Sequence, residues 1–291
     1  MAHKLANMIT GEKFCTIADH IFSPNIDVGV EDYNPLKNTY NPYNIKDGDI
    51  IYSHTMYAQL LLDAVGGLSK KVILITHNGD INIGNSFSVP DNVFKWFSQN
   101  VNVFHEKIES IPIGLENDRW FKDIHKKEKM IAKLQEPRKY KNLVYMNHNI
   151  ATNPSKRLEP YRILEGKSWV TTDRGTNGQR FDEYLDNIYN HKFVVCPEGN
   201  GIDTHRIWET LYMDSIPIVG DNITAELLYT YFPCIVTHEG WEGLDDISLN
   251  WEFYHLNKIK STTDVHNEML TFKYWENRIL NDRRTITGQA R

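Results

Sequence analysis

The chain has 291 residues, 41% of them hydrophobic, with a formal net charge of −6; that is ample for a self-sufficient core and comfortable for two domains of about 140 residues each. No basic block rises above the background, which argues against a nucleic-acid partner. Cys15, Cys196 and Cys234 are odd in number and widely spaced, and no run approaches the ~18 apolar residues of a membrane span, so a disulfide framework, a structural zinc site and a transmembrane anchor are all disfavoured.

Short β-type apolar runs alternate with helical patterns, the signature of parallel α/β layers. In the first layer Phe14–Ala18, Ile50–Tyr52, Val72–Ile75 and Val101–Phe104 read as strands, and Tyr57–Val65 and Val93–Ser98 as helices. Asp47-Gly48-Asp49 matches an Asp-x-Asp metal pattern, but it precedes Ile50-Ile51 instead of following a strand and reads as a turn. The charged segment Lys122 to Lys141 holds a helix pattern and then Glu136-Pro137-Arg138, a linker signal. In the second layer Leu143–Met146, Trp169–Thr171, Phe193–Val195, Ile216–Val219 and Cys234–Val236 read as strands. Phe181, Tyr184, Leu185 and Ile188 recur at helical spacing, making Arg180 to Tyr189 an amphipathic crossover. A helix starts after Asn153-Pro154 and carries Pro160, which disturbs its first turns. The stripe Val265, Met269, Phe272, Trp275, Ile279 predicts one long terminal helix. The expected domains are residues 1–139 and 140–262, with 263–291 as a helix bracing the two. The first residues lack a signal-peptide core, so a soluble protein of a reducing, cytoplasmic compartment is expected.

The most informative run is Cys196-Pro197-Glu198-Gly199-Asn200-Gly201-Ile202-Asp203-Thr204-His205-Arg206-Ile207-Trp208-Glu209, after the apolar Phe193-Val194-Val195. It reads as strand, glycine loop, helix start. Gly199 and Gly201 let backbone approach a ligand, Asp203 or Thr204 can cap the new helix, and that helix's first turn offers unpaired N–H groups and partial positive charge. Arg206 and Glu209 share a helix face, placing a cation for phosphate beside a carboxylate for sugar hydroxyls. This pattern suits a nucleotide-sugar. Trp208 and Leu211, on the opposite face, read as core. Open α/β sheets bind ligands beyond the carboxyl ends of their strands. Besides the glycine loop, Asp19-His20, Ser53-His54, His77-Asn78-Gly79-Asp80 and Asn147-His148-Asn149 occupy such ends, so loops of the two layers could face one another. Asn147, Asn149, Thr152 and Arg157 could line the donor site, or simply flank a capped helix.

The string Phe193 to Val219, with its Cys-Pro-x-Gly, His-Arg-x-Trp-Glu and Ile-Pro-Ile-Val elements, resembles the exostosin-like glycosyltransferases, family 47, in the short soluble forms of bacteria and large viruses. Thr76–Asp80, Trp96–Asn100 and Ile111–Asn117 are similar to further segments of those forms, so the resemblance spans residues 70 to 220, about half the chain. It implies a GT-B fold, two Rossmann-like domains facing a central cleft, with the donor held by the C-terminal domain. It also implies inversion at the anomeric carbon without an essential metal or cofactor. A UDP-sugar of the xylose, glucuronate, galactose, arabinose or N-acetylglucosamine class is the implied donor and a glycan hydroxyl the acceptor. Carried onto this chain, Arg206 becomes the diphosphate contact and Glu209 the ribose or donor-sugar contact, within a loop that includes Gly199, Asn200, Gly201, Asp203, Thr204 and His205. Eukaryotic members are membrane-anchored; without an anchor segment here, their location and heparan substrates do not carry over.

Glycosyl transfer needs a stabilised diphosphate leaving group, a base for the acceptor hydroxyl and exclusion of water. For the base, Asp80 is the first candidate and His77 its rival or orienting partner; Asp19 and His20 hold a second possible position. The alternatives are a GDP-sugar-dependent, fucosyltransferase-like enzyme and a nucleotide-sugar or glycan-binding protein without turnover. An NAD-linked oxidoreductase is disfavoured because Thr204 stands where the fingerprint needs its third glycine.

Overall fold

The computed structural model describes residues 7–24, 37–118, 125–173, 181–262 and 265–288. They form two separate five-stranded parallel sheets with flanking helices, an α/β fold of two Rossmann-like units. One unit comprises Ile9–Ile113 and Phe272–Arg291, the other Met1–Met8 and Gly114–Thr271. In chain order the elements are α1 (Gly11–Thr16), β1 (His20–Ile21), β2 (Ile50–His54), α2 (Ala58–Gly66), β3 (Val72–His77), β4 (Val93–Ser98) and β5 (Ile108–Ser110). There follow α3 (Lys126–Lys133), β6 (Asn142–Met146), α4 (Pro154–Leu164), β7 (Val170–Thr172), α5 (Phe181–Tyr189), β8 (His191–Val195), α6 (His205–Tyr212) and β9 (Ile216–Gly220). The chain ends with α7 (Ile223–Leu227), β10 (Ile235–Thr237), α8 (Asp246–Thr262), α9 (Val265–Met269) and α10 (Phe272–Thr287).

The first sheet runs in sequence order, β1-β2-β3-β4-β5. The second has the order β10-β9-β8-β6-β7, so β6 pairs with β7 on one side and β8 on the other. Chain progression reverses at β6, which opens a crevice at the carboxyl ends of β6 and β8. Read from its own first strand, this is the 2-1-3-4-5 order of doubly wound sheets, in which ligands bind at that reversal. On one face Val144, Met146, Phe193, Val195, Ile216 and Ile218 are buried with Tyr161 and Leu164 of α4 and with Trp241 and Leu249, and the alternate residues Tyr145, Val194 and Val219 are buried on the other. Buried on both faces, the inner strands β6, β8 and β9 read as continuous apolar runs, and all five strands lie where the sequence places them.

The first unit departs further from expectation. Residues 14–16 belong to helix α1, not to a strand: Gly11 and Phe14, three apart, form its buried face, and Phe14 stacks on His77 at 5.1 Å. The strand comes later, at His20. Val93–Ser98 is strand β4, not a helix. Its apolar positions 93, 94, 96 and 97 imitate helical spacing, but a six-residue run buried within a parallel sheet satisfies them as a strand. Val101 makes only an isolated bridge with Ile83, and the last strand of the sheet is Ile108–Ser110. The terminal stripe breaks into α9 and α10, because Thr271 turns its N–H and hydroxyl back onto the Glu268 carbonyl at 2.9 and 2.6 Å. Helix α8 has no counterpart in the sequence reading: Ile247, Trp251 and Tyr254 are exposed while Leu249 is buried, so no single apolar face announces it.

The division between units falls at Ile113/Gly114, earlier than the expected 139/140. Helix α3 is tied to α5 by Lys133–Asp186 at 2.6 Å and Lys129–Asp182 at 3.3 Å, and the linker to the second sheet by Tyr189 Oη donating to the Glu136 carbonyl at 2.7 Å. Helix α10 belongs to the first unit. Phe272 meets Phe14 edge-on at 5.3 Å, Arg278 pairs with Glu109 and lies over the Phe97 ring, and Arg283 pairs with Asp19. Lys122 and Arg180, the outer ends of two expected segments, lie outside the described residues. Among the described residues no helix is long and apolar enough to cross a membrane.

Gly11 packs its backbone against the Asn78 side chain; a Cβ there would overlap Asn78 Oδ1 and lie 2.6 Å from His77 Nδ1. Asn78 is held by Tyr52 Oη at 2.8 Å and cannot swing aside freely. Gly11→Ala should therefore destabilise the protein by about 1–3 kcal/mol, read as a lower urea midpoint with an unchanged m-value.

Candidate functional site

At the β6/β8 reversal two loops meet. Asn147, His148 and Asn149 leave β6, and Cys196 to Thr204 leave β8 and enter α6. The Arg206 guanidinium donates from Nη1 to Asn147 Oδ1 and lies 5.3 Å from the centre of the Tyr184 ring. Tyr184 Oη in turn donates to Glu209 Oε2, so one tyrosine of α5 touches both members of the expected Arg206/Glu209 pair. From the other wall Arg157 of α4 reaches over the glycine loop, with Nε to the Glu198 carbonyl at 2.8 Å and Nη1 to the Asn149 carbonyl at 3.0 Å. Gly199 permits this approach, since a Cβ there would sit 3.0 Å from Arg157 Nη2. Asn153 ties the same loop down from Nδ2 to the Gly199 carbonyl at 2.7 Å.

Charge is the unusual feature. Among the described residues neither Arg157 nor Arg206 makes an ion pair with a carboxylate. Burial, then the like charge of Arg206, pull the Arg157 pKa below its ordinary value. For Arg206 burial also acts downward, but Tyr184, Cys196 and Glu209 outweigh it and the pKa is raised. Arginine stays protonated throughout the working range, so two half-buried cations remain without an ion-paired carboxylate among the described residues.

Helix α6 adds to this. Thr204 occupies its N-cap with extended backbone, φ −129° and ψ 145°, but its side chain makes no capping bond and its buried Oγ1 has no partner among the described residues. The Ile207 N–H donates to the Thr204 carbonyl at 3.1 Å, and the helix start has no side-chain cap. His148, 1% exposed, donates from Nε2 to the Arg157 carbonyl at 2.9 Å, which leaves its Nδ1 as a lone pair, buried and without a partner among the described residues. Burial first, then the charges of Arg206 and Arg157, lower its pKa to about 3 against the bond to the Arg157 carbonyl. Cys196 is buried with its thiol pushed up to about 12, chiefly by burial, and is no nucleophile.

The structure therefore brings Arg206, Glu209, Gly199, Asn147, Asn149, Arg157 and Thr204 together. Asn200 is exposed at the loop tip. His205 donates from Nδ1 to the Gly114 carbonyl at 2.8 Å, with Nε2 3.4 Å from Glu116. Asp203 turns away: it is 3% exposed and accepts from Trp208 Nε1 at 2.9 Å and Tyr229 Oη at 2.9 Å, a structural anchor beneath the helix. Trp208 and Leu211 are core, as their face of the helix requires. Tyr184 and His148 are additions to the sequence reading. Tyr184 lies within the apolar stripe of α5 and is indistinguishable there from packing; His148 sits between two asparagines of a loop already marked.

In the first unit the four base candidates separate. His77 is fully buried, accepts at Nδ1 from the Asn78 N–H at 2.8 Å and donates from Nε2 to the Pro112 carbonyl at 3.0 Å. Asp19 accepts from the Ile50 N–H at 2.8 Å and pairs with Arg283; His20 meets Asp49 at 2.9 Å. Asp49 belongs to the Asp47–Asp49 turn and also accepts from the Lys46 N–H at 2.8 Å. Asp19 and Asp80 are both exposed, but of the two only Asp80 makes no hydrogen bond or ion pair among the described residues.

No family model and no curated protein matches the chain. Among solved structures it is similar to a crystal structure of an α1,3-fucosyltransferase, at 14% identity and a TM-score of 0.40, over 85% of this chain and 80% of that one.

His148 gives the second unit an acid sensitivity. Unfolded, it titrates near 6.5; folded, near 3. As pH falls below 6.5 the unfolded chain takes up the proton first, so stability drops by up to about 1.4 kcal/mol per pH unit. His148→Gln, which keeps a donor but no titration, should lose less stability than wild type between about pH 7 and 5 in urea unfolding. An equal loss would remove His148 as the cause.

Proposed function

We propose that this chain is a glycosyltransferase of GT-B type that holds a nucleoside-diphosphate sugar at the β6/β8 reversal. The observation that carries the reading is the pair Arg157 and Arg206, two half-buried guanidinium groups with no carboxylate partner among the described residues, beside an uncapped helix start. A diphosphate supplies the missing charge and accepts the first-turn N–H groups. The chemistry attached to it comes from the resemblance of Phe193–Val219 to exostosin-like enzymes, which implies a UDP-sugar, inversion and a glycan hydroxyl as acceptor.

In this reading the sugar–phosphate bond breaks as the acceptor oxygen attacks, and the departing diphosphate gains charge. Arg206 and Arg157 stabilise that charge in place, since Asn147, Tyr184 and the Asn149 and Glu198 carbonyls already fix them. With cations supplied by the protein, transfer should persist in EDTA. Glu209, oriented by Tyr184, receives a hydroxyl of the donor. Asp80, exposed and without a hydrogen bond among the described residues, is kept as the candidate base.

Arg206→Ala and Glu209→Ala should each lower transfer by at least ~100-fold, the scale for removing one electrostatic contact to developing charge, with melting temperature little changed. The assay is release of nucleoside diphosphate from a panel of UDP- and GDP-sugars with mixed glycan acceptors, with and without EDTA. Wild-type rates in Arg206→Ala would refute the assignment, and nucleotide binding without transfer or hydrolysis would leave a binding protein.

A further inference from the structure

A cavity of ≈ 280 Å³ opens beside the arginine pair, at the carboxyl ends of β8, β9 and β10. Lys156, Glu198, Asp221, His238 and Trp241 line it. Glu198 joins it to the anion site: its carbonyl accepts from Arg157 Nε at 2.8 Å, while its carboxylate enters the cavity wall, held through Oε1 by Asn222 at 3.2 Å and Lys156 at 3.4 Å. Asp221, one strand further on, meets His238 through Oδ2 at 3.2 Å. Glu198 Oε2 and Asp221 Oδ1 remain as acceptors with no hydrogen bond among the described residues.

Neighbouring strands are ~4.8 Å apart, so the loops after β8, β9 and β10 step away from the arginines in increments close to those separating phosphate, ribose and base in a nucleotide. The volume matches the lower end of small-ligand pockets and suits a nucleoside portion, not a whole nucleotide-sugar. We infer that this cavity takes the nucleoside of the donor, with Glu198 on the ribose hydroxyls and Asp221 on the base, and that the base it selects is guanine. The inference rests on the diphosphate reading of the arginine pair and departs from the uracil that the exostosin resemblance implies.

The selection follows from hydrogen-bond polarity. A carboxylate only accepts. Guanine presents N1–H and the N2 amino group side by side, two donors for Asp221 Oδ1 and for the second lone pair of Oδ2, whose first is turned to His238. Uracil presents one N–H between two carbonyl oxygens, which a carboxylate repels. Adenine and cytosine each set one amino donor beside a ring acceptor.

The test is calorimetric titration of wild type and Asp221→Asn with GDP, UDP and inorganic pyrophosphate. Asp221 is exposed in a loop, and equal melting temperatures would verify that the variant folds. Wild type should bind GDP at least ~10-fold more tightly than UDP, the effect of one charge-assisted contact. Asp221→Asn should erase most of that preference and leave pyrophosphate binding unchanged. If pyrophosphate binds and UDP matches or exceeds GDP, or if the variant keeps the GDP preference, the base assignment is wrong while the diphosphate site stands. If neither nucleotide nor pyrophosphate binds, the donor reading falls and the base assignment with it.

Discussion

The parallel pairing of β6 with β7 on one edge and β8 on the other is the constraint from which the site follows. Parallel strands need crossovers, and crossovers leaving a central strand in opposite directions cannot close over the gap between them. The loops after β6 and β8 must therefore border an open crevice. The chain fills its rim with asparagines, glycines and a helix start, groups that offer hydrogen bonds without bulk. The sequential order of the first sheet has no such reversal.

Electrostatics then decide what the crevice can hold. Two guanidinium groups half removed from water are costly unless paired. Here Asn147, the Tyr184 ring and backbone carbonyls position them without neutralising them. His148 is kept neutral and Cys196 protonated in the same surroundings, so His148 adds no third cation and Cys196 supplies no counter-charge. The rigidity comes from below: Asp203 locks Trp208 and Tyr229 under α6, so the helix start stays fixed. The same side chain that looks in sequence like a loop ligand is the anchor of the platform.

How far the sequence could be read depended on whether a feature is local. The inner strands of the second sheet, β6, β8 and β9, buried on both faces, announce themselves as apolar runs between turn residues, and the glycine loop with Arg206 and Glu209 is legible from spacing alone. The identity of Asp203's partners is not, because Tyr229 lies far along the chain. Arg157 could be suspected from the loop it follows, but its reach over Gly199 is a tertiary fact. In the first unit Val93–Ser98 fits both periods, and only its neighbours β3 and β5 decide for a strand. His77 looked like a chemical group at a strand end; its two nitrogens are spent on Asn78 and Pro112.

The central claim is that the nucleotide diphosphate sits at the β6/β8 reversal. Hydrogen–deuterium exchange with and without GDP or UDP tests it without an acceptor or a known sugar. The account predicts slower exchange in the Asn147–Arg157 segment and in the loop from Glu198 through the first turn of α6, whose amides have no side-chain cap. Protection confined to other segments, with these two unchanged under saturating nucleotide, would contradict it.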